Sequence, residues 1–387
     1  GLLKKYRENV LTESNNFSDS DWDEQNATLT SGQVDKDGGT DAWKLEATTT
    51  GQTYIQQYIS IIANKPTAFS IYAKSGNVDF LKFIFACSGS NSIVTFDLSD
   101  GSTSSDLRNI SVNAEDVGGG WYRCSASAAP GTNITAVRFE VRSDKGNADA
   151  DDGSFVYIQS AQLESGLAAT DVLTSGATTA KAGVLIDMPR INYDANGENG
   201  ALLLEPSRQN LVQYSEYFGA WTLSNSTITS NATTSPEGVN NASLYTSTNV
   251  TNYVRNIITA SNATYTLSVF VKRVSTDEFR MNFSDGVTGE IRYVFNLADE
   301  TSTLTKSGGT ISGYSADFEN YGNGWYRLHI TATTNAGTAI TAYFETDNET
   351  GSFYLYGAML EQNASYQSSY IPNHGTSGGV TRAADSC

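Results

Sequence analysis

The stretch Asn9-Val-Leu-Thr-Glu-Ser14-Asn-Asn-Phe17, followed by Trp22, returns later in the chain as Asn210-Leu-Val-Gln-Tyr-Ser215-Glu-Tyr-Phe218, followed by Trp221. Further stretches repeat in the same order, so the chain contains a tandem duplication. Each copy has about 175 residues, which is enough to close a hydrophobic core of its own, and we therefore expect two autonomous domains. The other repeated pairs are Phe69–Lys74 with Leu267–Lys272, Phe96–Leu98 with Phe295–Leu297, Gly120–Arg123 with Gly324–Arg327, and Ala161–Glu164 with Ala358–Glu361.

Apolar and polar residues alternate within each copy over short runs that turn formers interrupt. The run at residues 67–74 places Phe69, Ile71 and Ala73 on one face, and the run at residues 136–142 alternates in the same way. This period of two is typical of half-buried β-strands. The pattern predicts an all-β class, with an antiparallel β-sandwich in each copy.

The segment between the copies also has the pattern of strands. Val184–Tyr193 and Ala201–Glu205 are β-type runs, and Asp194–Gly200 between them is dense in turn formers, which predicts a β-hairpin. The predicted organisation is a first sandwich at residues 1–182, a hairpin connector at residues 183–209 and a second sandwich at residues 210–387.

The charge of the chain excludes some partners. With 24 Lys and Arg against 42 Asp and Glu, the formal net charge of -18 repels phosphate backbones and anionic lipid headgroups, so we expect neither nucleic-acid binding nor membrane insertion. The basic start Gly1–Arg7 has no apolar region behind it and is not a signal peptide. The chain lacks an initiator Met, begins in mid-pattern and stops without a terminating polar tail, which predicts an internal or processed piece of a longer polypeptide.

The three cysteines, Cys87, Cys124 and Cys387, do not have the spacing of a metal site. Cys87 and Cys124 lie in apolar runs, and the second copy has no cysteine at either place. We therefore favour buried free thiols over a disulfide bridge, which leaves the redox compartment open.

The connector and the second copy resemble a module of bacteriophage tail fibres, head fibres and spikes. The resemblance covers residues 183–385 closely and residues 9–181 more loosely. The first copy departs from the module where Val172–Thr174 and Thr179–Lys181 replace two of its elements. The strings that carry the resemblance are Asp187–Tyr193, Leu202–Leu211, Tyr214–Phe218, Ser235–Gly238, Gly324–Arg327, Gly357–Glu361, Ser369–Pro372 and Thr381–Asp385.

The same module is similar to the jelly-roll carbohydrate-binding modules of bacterial polysaccharide-degrading enzymes. The resemblance implies tandem jelly-roll sandwiches in a non-catalytic virion protein that binds a cell-surface glycan and other virion proteins. It also implies a homo-oligomer, a trimer in a fibre, at the virion surface. The alternatives are a targeting module of a secreted or cell-surface bacterial enzyme, and a ligand-free spacer or capsid decoration.

Few residues offer catalytic chemistry. The two histidines are His329, inside an apolar strand-like run, and His374, in a Gly/Ser loop, and Ser125 takes the place of His329 in the first copy. The recurrence of Glu164 as Glu361 indicates a structural role, because a hydrolase seldom needs the same residue in each half. We expect no enzymatic activity and no cofactor.

One acidic loop has the hard oxygen ligands that calcium prefers. Asp149, Asp151 and Asp152 precede a predicted strand and form a candidate site for a structural calcium ion. The competing interpretation is an ordinary solvated turn, since the second copy has fewer carboxylates there.

Sugar binding needs flat aromatic faces for pyranose rings, with polar groups nearby for the hydroxyls. Trp121 and Trp325 recur after a glycine turn, and we interpret them as core residues. The remaining aromatics in polar surroundings are candidate stacking platforms, although two of them also recur. These candidates are Tyr54, Tyr58, Tyr253, Trp22 and Trp221.

Overall fold

The computed structural model describes residues 5–106, 108–146, 148–183, 190–192, 199–335 and 337–385. It contains two compact units. One is Tyr6–Gly183, and the other combines Val184–Cys387 with the N-terminal segment Gly1–Lys5. We call them the first and the second sandwich. The second sandwich is therefore discontinuous in sequence.

The described residues form β-strands and one short 3₁₀ turn, as the period-two pattern predicts. In the first sandwich the strands are β1 (Arg7–Asn9), β2 (Asp23–Gln25), β3 (Ala27–Gln33), β4 (Ala42–Ala47), β5 (Thr53–Ile61), β6 (Thr67–Ser75), β7 (Phe80–Cys87), β8 (Ser92–Asp97), β9 (Thr103–Ser105), β10 (Asn109–Gly118), β11 (Trp121–Ala128), β12 (Ile134–Arg142), β13 (Phe155–Ser165) and β14 (Ala180–Ala182).

The strands of the second unit follow in equivalent order, after a connector pair. They are β15 (Arg190–Asn192), β16 (Ala201–Leu203), β17 (Arg208–Asn210), β18 (Thr222–Ser224), β19 (Ser226–Thr233), β20 (Ala242–Ser247), β21 (Tyr253–Thr259), β22 (Thr264–Arg273), β23 (Glu278–Ser284), β24 (Glu290–Asn296), β25 (Thr301–Gly308), β26 (Ile311–Gly322), β27 (Trp325–Thr334), β28 (Ala339–Thr346), β29 (Ser352–Gln362) and β30 (Val380–Arg382). The 3₁₀ turn is Phe218–Ala220.

Each sandwich consists of two six-stranded antiparallel sheets. Sheet I has the order β10-β11-β6-β13-β4-β3 in the first copy and β26-β27-β22-β29-β20-β19 in the second. Sheet II has the order β2-β5-β12-β7-β8-β9 in the first copy and β18-β21-β28-β23-β24-β25 in the second. A short strand pair, β1 with β14 or β17 with β30, completes each unit. The predicted fold class, tandem antiparallel β-sandwiches, is confirmed.

Aromatic side chains from the two sheets meet in the core. In the first sandwich Phe69 of sheet I lies 4.5 Å from Phe139 and 5.1 Å from Phe83, both of sheet II, between ring centroids. In the second, Phe353 of sheet I packs edge-on against Phe279 of sheet II at 5.1 Å. Burial of such rings is the main stabilising contribution to each unit.

A buried asparagine joins the ends of the first sandwich. The Asn9 side chain has no solvent exposure. Its Nδ2 donates to the carbonyls of Ala161, at 3.1 Å, and Leu173, at 2.8 Å. Its Oδ1 accepts from the amides of Leu11, at 3.2 Å, and Leu163, at 3.0 Å. All four hydrogen-bonding positions of the amide are therefore used.

The second sandwich repeats this arrangement around Asn210. Its Nδ2 donates to the carbonyls of Ala358, at 3.1 Å, and Ile371, at 2.7 Å. Its Oδ1 accepts from the amides of Val212, at 3.0 Å, and Leu360, at 3.2 Å. We call each set of four bonds the asparagine clamp. In each copy the clamp ties the start of the sandwich, which we call the entry segment, to the last long strand, β13 or β29. It also ties both to the chain that follows that strand, which we call the tail.

The recurring glutamates and arginines hold the same tail. Ser368 donates from its amide and its hydroxyl to Glu361, at 3.0 and 2.5 Å, and its carbonyl accepts from Arg327 at 2.7 Å. In the first sandwich Thr170 donates to Glu164 in the same way, at 2.8 and 2.6 Å. These contacts give the repeated glutamates the structural role that their recurrence predicts.

The connector belongs to the second compact unit. β15 pairs antiparallel with β16, while residues 184–189 and 193–198 of the predicted hairpin lie outside the described residues. After β16, the Glu205 carboxylate pairs with Arg382 at 3.0 Å and accepts from the Ser369 amide at 2.8 Å. These contacts explain why the connector from residue 184 onward, predicted as part of a separate element at residues 183–209, clusters with the second sandwich.

Cys87 and Cys124 are free thiols, and Cys124 is buried, where desolvation raises its pKa. The prediction of free thiols is confirmed for both residues, but burial only for Cys124, because Cys87 is partly exposed. No helix within the described ranges is long and apolar enough to cross a membrane.

We expect Asn9→Ala and Asn210→Ala each to destabilise one sandwich by about 3–5 kcal/mol, because each change removes four hydrogen bonds and leaves buried backbone groups unpaired. Differential scanning calorimetry of the full chain measures this as a downward shift of one unfolding transition. The matched control is Asn113→Ala, at an exposed position of β10, which should leave both transitions unchanged. Equal shifts for Asn113→Ala and the clamp variants would refute the clamp's importance.

Candidate functional site

Sheet II of each copy has a face that points away from the core. In β23, Phe279, Met281 and Phe283 fill the core, so Arg280 and Asn282 lie on the opposite face. We call this surface the outer face. Three of the five aromatic residues predicted to bind sugar lie on it, Tyr54 and Tyr58 in the first copy and Tyr253 in the second.

The outer face of the first sandwich is closed by its own charged side chains. Glu140 lies opposite Tyr54 on one neighbouring strand and Lys82 on the other, and it is completely buried. Three cations surround its carboxylate, with Lys82 Nζ at 3.6 Å, Arg138 Nη1 at 3.3 Å and Arg142 Nη1 at 3.5 Å. This network neutralises the buried carboxylate with side chains of the same face.

The two tyrosines of this face differ in accessibility. The Arg138 guanidinium carbon lies 3.8 Å from the Tyr54 ring centroid, and the Tyr54 hydroxyl donates to Gln25 at 2.6 Å. With 7% exposure, Tyr54 offers no open ring face. Tyr58 is 68% exposed at the rim, where its hydroxyl accepts from Gln56 at 2.8 Å. Tyr58 alone of the pair remains a candidate platform.

The outer face of the second sandwich contains an open groove of about 430 Å³. This volume lies in the range of small-molecule sites. Glu345 lies opposite Arg280 on the neighbouring strand. The cross-strand row of tyrosine, glutamate and cation seen in the first copy therefore recurs here as Tyr253, Glu345 and Arg280. The groove is lined by Val250, Thr251, Asn252, Tyr253, Arg280, Asn282, Ser284, Glu290, Arg292, Tyr343, Glu345 and Asn348.

Two half-buried tyrosines form the aromatic part of this groove. The rings of Tyr253 and Tyr343 meet edge-to-face with centroids 5.4 Å apart. The Arg255 guanidinium lies 5.3 Å from the first ring and 5.7 Å from the second, and its Nη1 donates to the Tyr343 hydroxyl at 3.2 Å. These contacts fix both rings before any ligand arrives, which reduces the entropy cost of binding.

Fixed polar groups lie beside the two rings. Glu290 Oε1 accepts from Asn282 Nδ2 at 2.8 Å and from Arg292 Nη2 at 2.9 Å. Burial alone would raise the pKa of Glu290, but bonds from Lys306 and Asn282 and the charge of Arg292 hold it below its ordinary value. In the described structure, Asn282 Oδ1 and Arg292 Nε are buried without hydrogen-bond partners. The groove therefore offers an ionised acceptor held in place by its neighbours.

The charges lining the groove balance. Arg280 pairs with Glu345, its Nε 3.0 Å from Oε2, and its Nη1 donates to Asp347 at 2.7 Å. Arg292 pairs with Glu290 as described above. A site with equal numbers of lining arginines and glutamates, in a protein of net charge -18, suits a neutral polyhydroxyl ligand better than an anionic one.

Trp22 and Trp221 lie away from the outer face. They are 4% and 5% exposed, and their rings pack in the cores beside Phe139 and Phe344 at 6.1 and 5.5 Å. The indole of Trp22 donates to the Glu13 carbonyl at 3.0 Å. Neither ring presents a face to solvent, so neither tryptophan is placed to stack on a sugar. Their recurrence reflects core packing.

The structure places one carboxylate of the acidic loop in an ion pair. Asp149 pairs with Arg142 at 2.5 Å, so an arginine already neutralises this carboxylate. Across the residues that the structure describes, no three Asp, Glu, His or Cys side chains form a group able to hold a metal. The site predicted at Asp149, Asp151 and Asp152 therefore has no geometric support.

The histidine in β27 is a half-buried framework residue. His329 lies opposite Ser268 on one side and Asp317 on the other. Burial lowers its pKa, although Asp317 acts in the opposite direction. Ser125 lies opposite Ser70 at the equivalent position of the first copy, so the fold accepts a hydroxyl there.

Sequence reasoning missed most groove residues, including Tyr343, Asn282 and Arg292. A signal was present in β23 and β28, where polar residues alternate with core residues and differ from those of the first copy. Ile84 and Arg138 of the first copy occupy the positions of Asn282 and Tyr343. Comparing the copies strand by strand would have found these differences.

Because folding lowers the His329 pKa, the unfolded chain binds the proton more tightly than the folded one. The stability of the second sandwich should therefore fall as pH drops below about 6.5. His329→Ser, which copies Ser125, should flatten this dependence between pH 7 and 5. Urea unfolding monitored at several pH values measures the slope. An identical slope in the variant would contradict the assignment.

Comparisons with known proteins do not place the chain in a family. No protein-family model matches it, and neither does any curated protein. A similar solved structure is the N-terminal CBM22-1-CBM22-2 tandem domain from Paenibacillus barcinonensis Xyn10C, with 12% sequence identity and a TM-score of 0.29 over 94% of this chain and 99% of that one. A likeness this weak establishes no relationship, so the fold given above rests on the observed strands and their pairing.

Proposed function

We propose that the second sandwich is a non-catalytic glycan-binding module that takes a neutral sugar in its outer-face groove. The observation that carries the proposal is the fixed pair Tyr253 and Tyr343 beside the polar groups of Asn282, Glu290 and Arg292. Tyrosine rings suit the C–H faces of pyranoses, and the amide and carboxylate suit their hydroxyls.

The first sandwich serves a different role in this proposal. Its outer face is closed by the Glu140 network and by Arg138 on Tyr54. It therefore acts mainly as a structural domain, with the exposed Tyr58 as its single candidate contact on this face. The two copies share a framework without sharing a binding site.

We place this module in a virion adhesin, a fibre or spike segment that attaches to a cell-surface glycan. The support is the sequence resemblance of the connector and second copy to phage fibre and spike modules. A single shallow site binds weakly, so attachment would come from multivalency in a homo-oligomer, a trimer in a fibre.

The alternative role is the targeting module of a secreted polysaccharide-degrading enzyme, which would use the same groove. Mass spectrometry of purified virions separates the two, since the adhesin reading requires this chain among the virion proteins. A third role, a ligand-free spacer or capsid decoration, requires that a glycan array shows no binding by the native oligomer.

We expect Tyr253→Ala and Tyr343→Ala each to weaken glycan binding about tenfold, because each removes an aromatic contact with the sugar. Binding of the full chain to a neutral-glycan array, followed by titration calorimetry on the best ligand, provides the measurement. The matched control is Tyr54→Ala. Tyr54 is the equivalent of Tyr253 in the first sandwich, whose outer face is closed, so this variant should bind as the wild type does.

Circular dichroism verifies that each variant is folded. Undiminished binding in both groove variants, or equal loss in Tyr54→Ala, would contradict the assignment of the groove.

A further inference from the structure

A buried cluster of ionisable side chains lies in the second unit, on the sheet I side and apart from the groove. Lys5, from the N-terminal segment of this unit, is 7% exposed. Its Nζ lies 2.8 Å from Glu237 Oε2 and 3.1 Å from both carboxylate oxygens of Glu216. The Tyr356 hydroxyl is a third neighbour of the ammonium at 3.4 Å.

The two carboxylates are held by tyrosines. The Tyr356 hydroxyl lies 3.1 Å from Glu216 and 2.9 Å from Glu237, and the Tyr370 hydroxyl lies 3.2 Å from Glu216. Both rings are part of a compact apolar cluster, with Phe270 at 6.0 and 6.1 Å from them. The acceptors are thus held by residues of the sandwich itself as well as by Lys5.

The charge balance of this pocket requires a cation. Burial alone would raise the pKa of Glu216, but the charges of Lys5 and His374, with hydrogen bonds from Lys5 and Tyr356, lower it below its ordinary value. Burial alone would also lower the pKa of Lys5, but Glu216 and Glu237 raise it above its ordinary value. Glu237 Oε1 is buried without a hydrogen-bond partner in the described structure. The two buried carboxylates face one lysine ammonium, so its removal would leave them without this counter-charge.

The first sandwich shows that the fold does not need this pocket. The equivalents of Glu216, Glu237 and Tyr356 are Asn15, Asp37 and Gln159, as the matching clamp and turn contacts establish. Asn15 Oδ1 there accepts from the Ser160 amide at 2.8 Å, and Asp37 pairs with Lys36 at the surface. The acidic pocket is therefore specific to the second copy.

We propose that the second sandwich carries a preformed recognition pocket for a primary ammonium group, and that the side chain of Lys5 is its ligand in this chain. Three acceptor groups, Glu216, Glu237 and the Tyr356 hydroxyl, match the three N–H donors of an ammonium. The pocket thereby holds the Lys5 side chain within the second unit.

The test is removal of the ligand side chain and replacement by a free amine. In the full chain, Lys5→Ala should lower the melting temperature of the second unit by about 5–10 °C, because two carboxylates lose their counter-charge. Millimolar n-butylammonium chloride should restore part of the loss, while tetramethylammonium chloride, which has no N–H donors, should not. Wild type and the Lys5→Ala/Glu216→Gln/Glu237→Gln variant should not respond to butylammonium.

The matched control is Lys36→Ala, which removes a lysine from a surface pair with Asp37 and should leave the melting temperature nearly unchanged. Lysine acetylation of the folded wild type followed by mass spectrometry is a second readout that needs no variant. Lys5 should resist acetylation under conditions that modify Lys36. Equal acetylation of both, or butylammonium stabilisation that persists in the triple variant, would overturn the proposal.

Discussion

The asparagine clamp is the interaction on which the rest of each sandwich depends. A buried side-chain amide is costly unless every donor and acceptor is paired, and Asn9 and Asn210 each meet that condition with four backbone partners. Because the partners come from the entry segment, the last long strand and the tail, the clamp joins regions that are about 150 residues apart in sequence. Its repetition in both copies, with the glutamate and arginine that hold the tail, identifies it as framework.

A framework fixed in this way leaves the outer face of sheet II free to diverge. Both copies keep a tyrosine, a glutamate and a cation in one row, Tyr54, Glu140 and Lys82 in the first and Tyr253, Glu345 and Arg280 in the second. The adjacent cross-strand row, which contains Arg138 in the first copy and Tyr343 in the second, differs. An arginine stacked on Tyr54 closes the first face, whereas a tyrosine at the same position of the second copy borders an open groove. The exchanges of Arg138 for Tyr343 and of Ile84 for Asn282 at equivalent positions thus distinguish the two outer faces.

The duplication and the period-two pattern were enough to predict the all-β class and core residues such as Phe69, Ile71 and Phe139, because strand alternation is a local property. The binding face could be predicted only in part. Tyr253 was found from its polar surroundings, but Trp22 and Trp221 have similar surroundings in sequence and are buried. Whether an aromatic ring is open depends on cross-strand neighbours, as Arg138 shows for Tyr54, and the partner of a buried charge depends on long-range contacts, as Lys5 shows for Glu216. Neither is visible in a local pattern.

The importance of the asparagine clamp is tested most directly by hydrogen exchange at the side-chain amides of Asn9 and Asn210, followed by NMR in the intact chain. If the clamp holds each sandwich together, both Nδ2 groups should exchange only when their domain unfolds, at rates matching the slowest backbone amides of the same core. Exchange of either amide as fast as that of a solvent-exposed asparagine, in a chain that remains folded, would show that the sandwich does not depend on the clamp.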